Sequence, residues 1–414
     1  MAQPLRSSPW RGSDLRGLAQ LATRATIGIT DLTEGVHQSV WGTLGVRGPA
    51  PGRTGGLTGL IYHGVRGVMR GVGRGVEVAL GAIEPLLGDP AQAEAGPPSA
   101  RREAVLAALN GVMGDRLVEA ASPFATPMTL RHRGQALDPQ APVLPGARGR
   151  VLLLIHGLCM NELQWRDGAG DAAHDHGEVL AAALAATPLA LRYNSGLPIS
   201  HNGALLARQL EQLVAHWPVP LTQLDVLAHS MGGLVIRSAV QSARDQDLQW
   251  PRRLGHLVFL GTPHHGAPLE RAGHGVDLVL GGTPWSRPFA RLGQLRSAGI
   301  TDLRHGNVRD SDWAGRGRFV RGKDTREPLP LPEGVACHTV AATTAARRSA
   351  LADRLVGDGL VPLRSALGEH DDPRFVLRFA PASRFIAWRT GHLALLRSPE
   401  VARQVLRWLA PAPV

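Results

Sequence analysis

A chain of 414 residues, 43% of them hydrophobic, is long enough for one large domain or two ordinary ones built on a real core. Its formal net charge is +11, almost all of it arginine because Lys323 is the only lysine; no aromatic–basic interleaving and no nucleic-acid motif accompanies that charge, so nucleic acid is set aside as a partner. Two cysteines, Cys159 and Cys337, make no disulfide framework, and no uncharged apolar run is long enough to span a bilayer.

Charges and prolines interrupt every apolar stretch near Met1, so no signal peptide is expected and the protein is read as cytoplasmic or peripheral to a membrane. After a polar start, Asp14 can cap a helix with apolar residues at Leu15, Leu18, Ala22, Ala25, Ile29, Leu32 and Val36. Steps of three and four residues draw one apolar stripe. Between Leu57 and Leu87, Gly67, Gly71 and Gly75 recur every four residues beside Arg66, Arg70 and Arg74. As a helix this segment carries a glycine seam and an arginine row. Each Gly costs about 1 kcal/mol relative to Ala, which a closely packed partner helix would offset. The arginine row reads as a solvated basic face, with a membrane-surface contact as the sharper alternative. Asp89 to Pro98 is a linker by composition, Arg102 to Met113 a further helix, and Met128 to Arg131 an edge strand. The expected division is a helical accessory region over 1–125 and an α/β domain over 126–414.

Within the second part, Val151 to Ile155 is wholly apolar, as a central parallel strand covered on both faces should be. Further strands are expected at Leu189 to Tyr193, Leu224 to Ala228, His256 to Leu260, Val335 to Ala342 and Arg374 to Phe379. Helices fall around Leu205 to Val214 and Glu400 to Leu409. This alternation predicts a mostly parallel α/β sheet with flanking helices. The region 267–334 has no strand character. It holds apolar residues at Leu278 to Leu280, Trp285, Phe289, Leu292 and Leu295, and Arg287 to Arg326 contains ten basic and four acidic residues. A loop this long inside a compact domain usually serves function, and it is read as a partly helical lid.

The chemistry centres on Ala228-His229-Ser230-Met231-Gly232-Gly233. An apolar run stops at a small residue, a Ser follows, and two glycines open a helical pattern, as in the strand–turn–helix that holds a nucleophilic serine on a strained turn. The strict pattern is G-x-S-x-G; Ala228 departs from it but stays small. A serine hydroxyl needs a base to take its proton, and the base needs a carboxylate to fix its tautomer. In the order serine, acid, histidine, Asp358 in Gly357-Asp358-Gly359 and His392 after Gly391 fit. The oxyanion of a tetrahedral intermediate needs preorganised N–H donors. Met231, after the nucleophile, and Leu158, in the turn His156-Gly157-Leu158, are the expected donors.

Rival acids are Asp353, Asp371 and Asp372, and the rival base is His370. His264 and His265 precede the acid in sequence. His229 is expected to point away from substrate and to pack or hydrogen-bond. Asp171, His174, Asp175, His176 and Glu178 have metal-like content, but their spacing matches no metal site, so helix capping and solvation are their expected uses and no metal or other cofactor is expected. Cys159 is read as a small packing residue.

From about Val151 to Ala410 the chain resembles the α/β-hydrolase superfamily, nearest its lipase-like branch of bacterial triacylglycerol lipases and GPI inositol-deacylase-like proteins. The resemblance rests on the HG turn at His156-Gly157, AHSMGG at Ala228 to Gly233, LGTPHHG at Leu260 to Gly266, GDGLVP at Gly357 to Pro362, and Gly391-His392. It implies a serine hydrolase acting on acyl esters or lipids, with esterase and lipase the nearest activities and amidase, thioesterase and acyltransferase open alternatives. A different class of reading, a non-catalytic membrane or protein adaptor on this scaffold, rests on the N-terminal arginine row and the basic lid. The presence of all three triad residue types weighs against it. The N-terminal region lies outside the resemblance, as an accessory region that packs on the hydrolase or touches membrane.

Overall fold

The computed structural model describes residues 100–167, 174–267, 297–313, 324–346 and 357–410. The expected helices over 14–36 and 57–87, the linker over 89–98 and the apolar half of the expected lid lie outside these residues. By internal contacts the chain divides into two units, Met1–Arg102 with Glu119–Phe124, and Glu103–Val118 with Ala125–Val414. The sheet belongs to the second unit.

In chain order its elements are α1 (Ala100–Glu119, whose greater part belongs to this unit), β1 (Thr129–His132), β2 (Gln135–Leu137), β3 (Arg150–Ile155), α2 (His176–Ala183), β4 (Thr187–Arg192), α3 (Ile199–His216), β5 (Gln223–His229), α4 (Met231–Asp245), β6 (Leu254–Leu260), α5 (Ala298–Asp302), β7 (Ala336–Thr343), α6 (Leu363–Ala366), β8 (Arg384–Trp388) and α7 (Pro399–Leu409). Among the described residues these strands form one eight-stranded sheet in the order β8-β7-β6-β5-β3-β4-β1-β2. All neighbours run parallel except β1, which is antiparallel to both β4 and β2.

Alternation along the central strands sorts the core into two layers, because successive side chains of a strand face opposite sides. Val151, Leu153 and Ile155 of β3 join Val226 and Ala228 of β5, Leu206 and Leu210 of α3, and Leu234 of α4. Leu152 and Leu154 join Leu227 of β5, Leu180 of α2, and Val401 and Val405 of α7. Both faces of the sheet are therefore covered, which explains why β3 reads as a continuous apolar run. Burial of one such leucine contributes about 1.5–3 kcal/mol. At the opposite end from the site, buried Asp225 of β5 pairs with Arg150 at 2.6 Å, and the same guanidinium donates to the Leu409 carbonyl at 2.7 Å, tying the closing helix to the sheet.

Three expectations are corrected. The segment Arg374 to Phe379 is not a strand: Pro373–Phe375 forms a 3-10 turn, and the last strand is β8, paired in parallel with β7. Leu377 and Phe379 imitate strand alternation because both are buried against the first core layer from an irregular stretch. The strand near Met128 is not an edge, since β2 adds beyond it through a tight turn with positive φ at Arg133 (47°) and Gly134 (81°). The helix expected to end at Met113 runs on to Glu119 across a kink there, with φ −145°.

Of the expected lid, 297–313 is built into the body. Ile300, Leu303 and Val308 belong to the first core layer, and buried Asp302 accepts from the Ile199 amide at 2.7 Å and from Trp313 Nε1 at 2.5 Å. Among the described residues no helix is long and apolar enough to cross a membrane. The mostly parallel sheet, its covered faces and the sharp turn between β5 and α4 are those of an α/β-hydrolase fold.

Candidate active site

In an open parallel sheet, ligands bind outside the carboxyl ends of the strands where the strand order reverses. Here β3 leads to β4 on one side, while β5 lies on its other side, so the reversal falls between β3 and β5. The turn His156-Gly157-Leu158 leaves β3 at that point, and Ser230 leaves β5.

Ser230 holds φ 55° and ψ −125°, a left-handed conformation that costs a non-glycine residue of order 1–3 kcal/mol. The surrounding ladder enforces it. The Ser230 amide donates to the Leu260 carbonyl at 2.8 Å, and the Gly233 amide donates to the Ser230 carbonyl at 3.0 Å. Small neighbours are obligatory for a measurable reason. A Cβ on Gly232 would stand 2.6 Å from the carbonyl oxygens of both Ile155 and His156. A Cβ on Gly157 would stand 2.9 Å from the Ser230 Cβ, so the loop after β3 lies directly against Ser230.

Asp358 and His392 are brought together from the far side of the sheet. Leu360, Val361 and Leu363 are buried together with Ala341 of β7, which seats the Gly357–Pro362 loop. The Asp358 carboxylate accepts three hydrogen bonds: one oxygen accepts from the Leu360 and Val361 amides at 3.0 and 2.8 Å, and the other accepts from His392 Nδ1 at 2.6 Å. A carboxylate only accepts, so Nδ1 carries the hydrogen, and the Nε2 of a neutral ring is left as a base. The His392 amide also donates to the Asp358 carbonyl at 3.1 Å. Both residues are buried, at 2% and 4% exposure, and Ser230 is 8% exposed.

His229 connects the two halves. It is fully buried, and its Nε2 donates to the His392 carbonyl at 3.2 Å while the two rings lie 4.6 Å apart. Burial, with the His392 ring beside it, pushes its pKa well below the usual imidazole value. It stays neutral and serves as a donor, the packing and hydrogen-bonding use expected of it. Met231 opens α4, so its N–H is one of the first-turn amides that lack an acceptor inside the helix. Leu158 is buried in the turn beside Ser230.

The rivals among the described residues make other contacts. His264 is enclosed by the rings of Phe259 and Phe379, at 4.9 and 5.6 Å. His265 faces His370 at 4.9 Å, and His370 Nδ1 accepts from the Asp372 amide. Asp371 pairs with Arg364 and Asp372 with Arg374. Asp353 and Asp171 lie outside the described residues. Asp175 caps α2 by accepting from the Glu178 amide at 3.1 Å. Cys159 packs against Gly111 of α1, and burial pushes its thiol up to about 12.

Sequence reading passed over three residues that bind or belong to the segment leaving β3: Tyr193, Ser195 and Glu162. The available signal was the polar cluster Tyr193-Asn194-Ser195 at the carboxyl end of a strand adjoining β3.

Residues 123–303 match the family described as Domain of unknown function (DUF7379). No curated protein matches the chain. Among solved structures, the mature form of the Bacillus licheniformis lipase BlEst2 is 16% identical over 69% of this chain and 100% of its own, with a TM-score of 0.41. The Aspergillus fumigatus lipase B is 11% identical over 66% of this chain and 54% of its own, with a TM-score of 0.38. The phospholipase PlaB from Legionella pneumophila is 13% identical over 64% and 60%, with a TM-score of 0.37. At that distance these likenesses say nothing of the substrate, and the fold is assigned from this chain's own strand order and turns.

Proposed function

We propose that the chain is a serine hydrolase of carboxylic esters. The observation that carries this reading is the buried bond from His392 to the Asp358 carboxylate, itself held by two amides, on the carboxyl edge of the sheet where Ser230 is held in a strained turn. Ser230 Oγ attacks the acyl carbon while His392 Nε2 takes its proton, and Asp358 holds the ring and stabilises its charged form. The N–H groups of Leu158 and Met231 hold the oxyanion. His392 returns the proton to the departing alcohol, and water, activated by the same base, releases the acid and restores Ser230.

Buried apolar side chains of the second core layer pack against these groups. Met160 lies beside Gly157, Trp165 beside His229, and Leu395 beside Gly261 and His392. In the sequence, the apolar residues Leu278 to Leu280, Trp285, Phe289, Leu292 and Leu295 favour an acyl chain as the substrate's distinguishing part.

The test is hydrolysis of p-nitrophenyl esters of graded chain length by wild type and Ser230→Ala, with fluorophosphonate labelling in parallel. Wild-type turnover with an optimum at medium or long chains, lost by roughly 10⁴-fold or more in Ser230→Ala, is expected. Unchanged turnover in a folded Ser230→Ala variant overturns the reading.

A further inference from the structure

The donor assigned to Leu158 is a main-chain amide, and something must aim it. Strand β4 runs parallel to β3, so the segment leaving β4, Arg192-Tyr193-Asn194-Ser195, lies beside the segment leaving β3, His156 to Glu162. Three successive contacts join them. Tyr193 O–H donates to the His156 carbonyl at 2.9 Å. The Cys159 amide donates to Ser195 Oγ at 3.0 Å. The Arg192 guanidinium forks onto the Glu162 carboxylate at 2.7 and 2.5 Å and also binds Glu103 of α1. Burial works against the charge of Arg192, but these two carboxylates outweigh it and hold its pKa above the ordinary value.

Peptide planarity turns these contacts into a constraint on Leu158. The His156–Gly157 plane is fixed through its carbonyl by Tyr193. The Leu158–Cys159 plane is fixed through its N–H by Ser195. The plane between them carries the Gly157 carbonyl and the Leu158 N–H, pointing in opposite directions. That carbonyl accepts from His156 Nδ1 at 2.9 Å, and the His156 ring stacks on Tyr193 at 4.3 Å with 20° between planes. Burial lowers the His156 pKa to about 4, which keeps the ring neutral. Cys159, at φ 58°, completes a loop that would relax without such ties. Tyr193, Ser195 and Cys159 are all buried.

We propose that Tyr193 and Ser195 are positioning residues for the reaction: they bracket the Gly157–Leu158 peptide and aim the Leu158 N–H at the oxyanion formed on the Ser230 adduct. The inference rests on the serine hydrolase reading above.

Tyr193→Phe keeps the ring stack and removes the donor; Ser195→Ala removes the acceptor. Sites are counted by fluorophosphonate titration, so that kcat is read per competent serine and losses of folded protein drop out. Each variant is expected to lose roughly 10–100-fold in kcat with KM within about threefold, because a donor tilted away from the transition state is a misplacement and not an outright loss. Affinity for an alkyl boronic acid, whose tetrahedral adduct with Ser230 places an oxygen in the same hole, should fall by a similar factor. The double variant should lose less than the product of the two, since both act on one peptide. If Ser195→Ala does not fold, Tyr193→Phe alone decides.

Wild-type turnover that depends on Ser230, with kcat per titrated site and boronate affinity unchanged in the variants, overturns this inference and leaves the proposed function standing. Absence of Ser230-dependent turnover in the wild type overturns both.

Discussion

The imidazole of His229 donates to the main-chain carbonyl of His392 at 3.2 Å, so the residue preceding Ser230 holds the backbone of the histidine proposed to serve it. The contact is fully buried, where a carbonyl left without its donor costs about 1–3 kcal/mol. His229→Leu should therefore lower both stability and turnover. The expected loss is roughly tenfold in kcat, equivalent to about 1.4 kcal/mol. Urea unfolding together with kcat and KM on one ester checks it; unchanged kcat would make the contact one of packing alone.

Asp358 offers a sharper change. Its Oδ1 accepts two amides and its Oδ2 accepts His392 Nδ1. Asp358→Asn keeps the shape but presents an amide NH₂ to one of these donors, forcing the imidazole toward the wrong tautomer. A loss of roughly 10⁴-fold in kcat is expected, the size of this change in a serine protease triad. Substrate binding should be little altered, because Asp358 is buried behind His392 and acts through it. Steady-state kinetics, with circular dichroism to confirm the fold, decides the matter.

Much of this arrangement is legible in the residues because its causes are local. Val151 to Ile155 announces a strand covered on both faces, and the small residues Ala228 and Gly232 announce a crowded turn, since these demands act on the residues that display them. The parts that escape reading depend on distant partners. Ser195 matters through the Cys159 amide 36 residues earlier, and Arg192 through Glu103 and Glu162, 89 and 30 residues away, so the local polar cluster marks a place without naming its partners. Strand β2 is three residues long, too short for periodicity to register. Leu377 and Phe379 mislead in the opposite sense: their alternation is real, but it serves burial against the core without any ladder pairing.

The crowding at Gly232 makes a prediction about folding. A methyl there would lie 2.6 Å from two main-chain oxygens, that of Ile155 at the end of the central strand and that of His156, which the Tyr193 hydroxyl holds. Gly232→Ala should cost about 3 kcal/mol or more, at the upper end for overpacking. Gly157→Ala meets the Ser230 Cβ at 2.9 Å and the Met160 sulfur at 3.2 Å, the second being the end of a flexible side chain. It should cost less stability and more activity, by pushing the donor loop away from the serine. Thermal unfolding and kcat per titrated site should rank the two variants in opposite orders.

Stability should also fall in mild acid, before the carboxylates titrate. Burial lowers His156 from the usual 6.5 to about 4, and holds His229 and His264 well below 6.5. Above about pH 6.5 these rings are neutral in both folded and unfolded chains and contribute no pH dependence. As the pH falls below that value the unfolded chain binds protons that the folded chain refuses, so the unfolding free energy decreases until the folded pKa is reached. For His156 alone the window runs from about 6.5 to about 4, worth on the order of 3 kcal/mol at about 1.4 kcal/mol per unit. Urea unfolding at pH 7.5, 6.5, 5.5 and 4.5 should show a plateau between the first two and a steepening loss thereafter. A free energy that stays level down to about pH 4.5 would mean that the rings protonate inside the fold, and the neutral donor roles assigned to His156 and His229 would then be wrong.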